Sequence, residues 1–268
     1  MTDIPCRNTA SEQEGRFSAP YWAGYWSGLT RRLGALVSGE PARRGKRPNA
    51  APDSAVHFIS YPKSGRSWVR YILHNLDAEK GIAFHHDGFE FNDGTRPAHD
   101  YDIEVRKARY GGNKIVYLHR DPRDVLVSLY FQITGRFKTK FRYRGSIADF
   151  IRDPYFGAEP LRRFSLVWRT VAAELPVFTT SYEEMSADTF GQTMRLLDSL
   201  EIARTPEQVL RAIEAASLDN MREVERSDSF SEPWLRLLNG HPKVREGKVG
   251  GHREALTQPD IEIGRAHV

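Results

Sequence analysis

The sequence predicts an α/β domain with a central parallel sheet flanked by helices, and three short runs carry that expectation: VHFIS at residues 56–60, KIVYLH at 114–119 and VFTTS at 177–181. Each is rich in β-branched and aromatic residues and is followed by a stretch whose apolar positions recur every three or four residues. Strands that alternate with helices pair in parallel, and the helices cover both faces of the sheet. Ligands of such sheets lie beyond the carboxyl ends of the strands, so the residues that follow each run are the ones to read for chemistry.

Taken in order, residues 1–54 read as an N-terminal arm and linker, with the domain spanning 55–268. Residues 38–54 (SGEPARRGKRPNAAPDS) concentrate Pro, Gly and basic residues, as a linker does. Residues 17–37 hold Tyr21, Trp22, Tyr25 and Trp26, but Arg31 and Arg32 keep the segment short of the ~20 apolar residues of a spanning helix. A helix packed on the domain and an interfacial anchor giving peripheral membrane contact both fit it. Beyond the first run a helix is expected over 66–76, where Trp68, Ile72 and Leu76 share one face. The apolar stretch 82–86 ends like a strand. Pro122 suits the first turn of a helix carrying Val125 and Leu129, and further helices are expected over 187–200 and 206–216.

With 268 residues, 40% of them hydrophobic, the chain can bury one sizeable core. The 39 basic residues against 35 acidic ones favour an anionic partner without choosing among a small ligand, a nucleic acid and a membrane surface. The single cysteine, Cys6, excludes an intrachain disulfide and a thiolate metal cluster, and it points to a reducing, cytoplasmic setting.

The turn YPKSGRSW at 61–68 has the make-up of an anion site. A strand ends, Gly65 permits a tight reversal, and a helix begins with its free N–H groups aimed into the turn. Ser64 and Ser67 add hydroxyls, and Lys63 adds a point charge. The Walker order GxxxxGK[ST] is absent, because here the lysine precedes the glycine. At the second junction Arg120 offers a planar fork that can grip a phosphate through two hydrogen bonds. Ser128 follows about two helical turns later, so both can converge on one anion. Arg120 could instead pair with Asp121 or Asp124. Arg123 and Asp124 read as surface or helix-start residues.

Together these segments resemble a known family. YPKSGRSW resembles the 5'-phosphosulfate loop of the cytosolic-type sulfotransferases, whose usual form is YPKSGTTW. VYLHRDPRDVLVSLY at 116–130 resembles their 3'-phosphate motif, R-[ND]-P-[KR]-D-V followed by VS-x-Y. The similarity extends over 56–257. Tyr182 in SYEEM matches the family's YEDM tyrosine beside the adenine. Ser217 and Leu218 in SLDNM match its SFxxM stretch, with leucine where a stacking phenylalanine is usual. VREGKVGGH at 244–252 resembles the RKGxxGDW loop: Arg245 and Gly247 match, Glu246 replaces a lysine and His252 a tryptophan.

The resemblance implies a single P-loop-like domain and an enzyme that moves a sulfuryl group by in-line displacement. The donor would be 3'-phosphoadenosine 5'-phosphosulfate (PAPS), the acceptor a hydroxyl or amine, and no metal would take part. It implies donor contacts from Lys63, Ser64, Gly65, Arg66, Ser67, Trp68, Arg120, Ser128, Tyr182, Ser217, Leu218, Arg245, Glu246 and Gly247. Glu246 is expected to turn from the phosphates or to pair with Arg245, with Lys248 restoring the lost charge.

The family's catalytic base is a histidine in a KTH pattern, and two residues compete for the role. His86 closes the run 82–86 and is preferred. His99 stands at about the family's distance before Arg120 but in loop-like surroundings. With His86 as base, Phe84 takes the place of a second lysine, and charge stabilisation rests on Lys63. The segment RFKTKFRYR at 136–144, if extended, puts cations on one face and aromatics on the other. It reads as a solvated lid or as a cleft for an anionic acceptor. A small molecule, glycan or lipid is expected there rather than nucleic acid. Two other readings stay open: a P-loop-type nucleotide kinase using ATP, which the Walker order disfavours, and a non-catalytic nucleotide- or nucleic-acid-binding module, which the basic–aromatic stretch allows.

Overall fold

Four short strands make one wholly parallel sheet in the order β2-β1-β3-β4. The computed structural model describes residues 55–230 and 232–265. The arm and linker expected over 1–54, with the aromatic segment 17–37, lie outside the described residues. In chain order the elements are β1 (Val56–Ser60), α1 (Arg66–Asn75), β2 (Ile82–His85), α2 (Ile103–Tyr110), β3 (Lys114–His119), α3 (Pro122–Phe131) and a π-helix (Gln132–Arg136). Then come α4 (Lys138–Phe141), α5 (Ile147–Arg152), α6 (Ala158–Glu174), β4 (Val177–Ser181), α7 (Tyr182–Ala187) and α8 (Thr189–Ser199). The chain closes with α9 (Pro206–Ala215), α10 (Leu218–Ser227), α11 (His252–Ala255) and α12 (Gln258–Arg265).

The period-two geometry of a strand explains why its residues are apolar throughout. Ile59, Ile115 and Tyr117 pack into one core with Phe150, Phe164 and the fully buried Trp168. Their neighbours Phe58, Val116 and Leu118 pack into a second core with Ile72, Leu196 and Val209. A sheet covered on both faces has no polar side to signal. The three predicted strands fall where expected, and β2 pairs with β1 through the register Phe58 to Phe84.

Local chemistry sets the helix starts. Asp121 accepts a hydrogen bond from the Arg123 N–H at 2.9 Å, and Pro122 occupies the first turn of α3. Ser181 with Glu184, and Thr205 with Gln208, form capping boxes ahead of α7 and α9. The helix expected over 187–200 is α8, which Asp188 caps by accepting from the Gly191 N–H at 2.8 Å, so that α7 ends just before it.

The segment 136–144 is not extended. The π-helix runs on from α3, α4 follows, and Phe137 and Phe141 turn into the core while Lys138, Thr139 and Lys140 face out. The spacing between buried aromatics is helical, so the two-faced ribbon of cations and aromatics does not form. Asp124 also departs from expectation. It is buried, and it accepts from the Gly250 N–H at 2.7 Å and from the His252 N–H at 2.9 Å. It pins the C-terminal segment to α3.

A buried carboxylate fixes the turn after β2. Asp87 accepts from Arg106 Nε at 2.5 Å, the Tyr110 hydroxyl at 2.7 Å and Trp168 Nε1 at 3.2 Å. Arg106 is buried as deeply, so removing the acid would strand a cation in the core. Asp87→Ala is expected to cost about 3–5 kcal/mol in equilibrium urea unfolding. A loss below ~1 kcal/mol would show that the pair does not anchor this turn.

Candidate active site

A cavity of about 1190 Å³ opens where β1 and β3 end. It exceeds the ~300–1,000 Å³ of an ordinary small-molecule pocket, so one ligand need not fill it. The sheet order places it at a switch point: β1 connects outward to β2 on one side, and β3 to β4 on the other.

The turn after β1 supplies its floor. Lys63 takes φ +73° and Gly65 φ +100°. A Cβ at Gly65 would lie 2.4 Å from the Tyr182 ring, so both the backbone and the space require glycine there. Helical bonding begins with Trp68 N–H on Gly65 O at 2.9 Å. The amides that open α1 therefore have no carbonyl behind them in the helix. Trp68 and Tyr182 meet edge to face with ring centroids 5.5 Å apart. Leu218 lies against Gly247, where a Cβ would approach it to 3.1 Å.

Arg120 crosses from the second junction to the first. Its Nη1 donates to Lys63 O at 3.4 Å, its Nη2 donates to Lys248 O at 2.8 Å, and its guanidinium sits 4.1 Å from the Tyr182 ring centre. Its Nε is buried with no hydrogen-bond partner. Asp124 is near but loose, at 3.6 Å from Nη2. Arg245 stacks its guanidinium 3.9 Å over Phe131 and pairs with Glu246 at 3.0 Å, the arrangement expected for that acid. Lys248 is engaged by Glu254 instead of standing in for the missing lysine.

All but two of the residues singled out in the sequence line this cavity: Lys63, Gly65, Arg66, Ser67, Trp68, His86, Arg120, Ser128, Tyr182, Ser217, Leu218, Arg245, Glu246 and Gly247. Ser64 is buried behind the turn. His99 is not in the lining. It is stacked between Phe89 and Tyr155, with ring centroids 4.4 and 4.5 Å away, and burial followed by the Arg163 charge lowers its pKa to about 4.

His86 has a defined tautomer. Its Nδ1 lies 2.7 Å from Ser60 O, and a carbonyl can only accept, so Nδ1 carries the proton and Nε2 the lone pair. Its own N–H donates to Glu90 at 2.9 Å. Burial first, then the Arg66 charge, hold its pKa well below the ordinary histidine value.

Part of the wall was read in the wrong conformation, as with Arg136 in the ribbon expected over 136–144, or was not singled out, as with Lys243. Arg136, delivered by the π-helix, donates from Nη1 to Glu225 at 3.3 Å and to the carbonyls of Arg236 and His241 at 2.8 and 3.0 Å. Glu225 also accepts from the Lys243 N–H at 2.5 Å and the Val244 N–H at 3.1 Å. Lys243 itself lines the cavity and donates to Trp234 O. Its place two residues before Arg245 was the available signal. Among the described residues no group of three or more His, Cys, Asp or Glu is placed to hold a metal ion.

These cations act on one another. Burial first, then Arg136, Arg245 and Arg120, push the Lys63 pKa from 10.5 down to about 7. Below pH 7 the amine is charged in both folded and unfolded chains, and its burial cost is felt in full. Between about 7 and 10.5 the unfolded chain keeps a proton that the folded one has lost, so stability rises with pH across that window. Lys63→Met is expected to raise the melting temperature at pH 6, with the gain shrinking by pH 10. Equal gains at both would show that the amine is not held in a depressed state.

The chain is similar to known proteins in both sequence and fold. The chain is 25% identical to a 3-alpha-hydroxysteroid sulfotransferase of Cavia porcellus, over 78% of this chain and 80% of that one. It is 22% identical to an amine sulfotransferase of Oryctolagus cuniculus, over 78% of each. A mouse sulfotransferase solved in complex with PAP has the same fold, with a TM-score of 0.60 at 18% identity over 81% of this chain and 83% of that one. The family model for the sulfotransferase domain matches residues 110–267, more than half of the sequence. The chain belongs to the sulfotransferase domain family.

Proposed function

We propose that this sulfotransferase takes its sulfuryl group from PAPS and passes it to a hydroxyl or amine of a small-molecule acceptor, with Lys63, His86 and Arg120 at the centre of the work. One observation carries the reading. The Arg120 guanidinium reaches Lys63 O at 3.4 Å, so the two anion-gripping junctions share one cavity and can hold the two phosphorylated ends of a single nucleotide.

The residues present fit that donor. Arg120 Nε is a buried N–H without an acceptor, which a phosphate oxygen would satisfy. Ser128 and Arg245 line the same wall and complete a grip on the 3'-phosphate. Trp68, Tyr182 and Leu218 give the cavity apolar lining suited to the adenine. The amides opening α1, with the Ser67 hydroxyl and Lys63, suit the 5' end. When bound, the donor supplies the sulfuryl group and a phosphate leaving group.

The chain's own residues supply positioning, a base and a cation. His86 Nε2 holds a lone pair at neutral pH and takes the proton of the attacking hydroxyl or amine. Lys63 stabilises negative charge on the leaving oxygen. Phosphate groups beside it oppose the burial and the crowding that depress its pKa and so keep it protonated when the donor is present. Glu246 stays on Arg245 and screens that residue's outer edge. The acceptor class is supported by relatives named for a hydroxysteroid and an amine. A cytoplasmic setting is supported by the single cysteine.

With labelled PAPS and a phenol that the parent sulfates, Lys63→Ala should lower kcat by about 10²–10³-fold. His86→Gln should lower it by about 10²–10⁴-fold, and His99→Gln by less than ~threefold. Loss at His99 without loss at His86 would reverse the assignment of the base. In calorimetry PAP should bind at least ~tenfold tighter than ADP, and Arg120→Ala should erase the difference. Equal binding of ADP and PAP by the parent would favour the kinase reading.

A further inference from the structure

We infer that the acceptor is an anion, whose carboxylate, phosphate or sulfate group is received by Arg66, Lys243 and the Trp234 indole N–H beside the base. This rests on the sulfotransferase reading above and adds the substrate class.

Position 66 is where the usual form of the phosphosulfate loop carries threonine, and here it carries arginine. Only its backbone amide belongs to the opening of α1. The side chain shares its helix face with Arg70, one turn on, whose guanidinium lies 4.5 Å over Trp234 and 4.9 Å over Phe84. That face looks toward β2 and the 233–243 segment, away from Trp68 and Tyr182. The reach of its charge agrees. After burial, Arg66 is the largest cause lowering the pKa of both His86 and Lys243.

Two N–H donors in this part of the cavity are buried and lack acceptors: Arg66 Nη1 and Trp234 Nε1. The acid nearest in influence to Arg66 is Glu90, which already accepts from the His86 amide. Lys243 adds a second cation, held to Trp234 O and crowded by Arg66, Lys63 and Arg136. The donor's phosphates do not account for these groups, because Lys63, Arg120, Ser128 and Arg245 serve them. A neutral acceptor would leave Arg66 Nη1 and the indole N–H unsatisfied beside a second buried cation, whereas an oxyanion answers both N–H groups and offsets the positive charge. During transfer the acceptor O–S bond forms as the S–O bond to the donor phosphate breaks, and the hydroxyl proton passes to His86. The acceptor's anionic group is held throughout and does not react.

The test uses the full chain saturated with PAP, which occupies the donor's phosphate sites. Calorimetry then compares 4-hydroxybenzoate and 4-hydroxyphenyl phosphate with neutral 4-methylphenol. Both anions should bind at least ~tenfold tighter than 4-methylphenol. Arg66→Gln should abolish the preference and Lys243→Gln should reduce it, while Arg66→Lys retains part of it. PAP affinity should fall by less than ~threefold in Arg66→Gln. Equal binding of 4-methylphenol and the anions by the parent overturns the inference and leaves the sulfotransferase reading standing. A loss of PAP affinity in Arg66→Gln as large as the loss for the anions overturns it too, by returning Arg66 to the donor. Failure of the parent to bind PAP at all would instead sink the donor reading, and the inference with it.

Discussion

Crowding of like charge is the constraint around which this structure is built. Lys63, Arg66, Arg120, Arg136, Lys243 and Arg245 line one cavity; burial first, then Arg136, Arg245 and Arg120, depress the Lys63 amine, and burial first, then Arg66, Lys63 and Arg136, depress that of Lys243. Two buried carboxylates make the crowding tolerable. Glu225 ties Arg136 to the amides of Lys243 and Val244, and Asp124 ties α3 to Gly250 and His252. Both acids hold mostly backbone, so they set the course of the C-terminal segment while leaving much of the cavity's positive charge for a ligand. The folded chain thus carries a destabilising cluster for the sake of binding, a familiar exchange of stability for function.

The proposed base is held by a different logic. His86 sits one residue before Asp87, which is clamped by Arg106, Tyr110 and Trp168 from two helices. Its imidazole is then oriented from β1 by the Ser60 carbonyl. A side chain gripped at its backbone by one core and at its ring by a neighbouring strand has little freedom to swing. Chemistry that depends on a single lone pair needs that restraint.

Much of this was legible in the sequence, and the limits have physical reasons. The strands could be read because a two-sided buried sheet writes continuous apolar runs, and the wall that the two junctions give the cavity could be read because strand-to-helix junctions expose their residues in order. The opposite wall could not. Arg136 ends a π-helix, and the alternating basic residues of 136–144 mimicked an extended ribbon although Phe137 and Phe141 stand four apart, as in a helix. Glu225 is a buried acid on α10, and its partners lie 18, 19 and 89 residues away in the chain. His99 kept a plausible spacing, but it stacks in an aromatic cluster that only the tertiary fold assembles. Separation along the chain, more than weak local signal, hid these residues.

The opening residue of α1 has one more consequence. In the proposed site its main-chain N–H belongs to the donor's cradle and its side chain to the acceptor's anionic group. A peptide amide is the same in nineteen of the twenty amino acids, proline being the exception. Position 66 can therefore change its side chain without dismantling the cradle, which makes it a natural place for descendants of this enzyme to retool what they modify while keeping how they are charged.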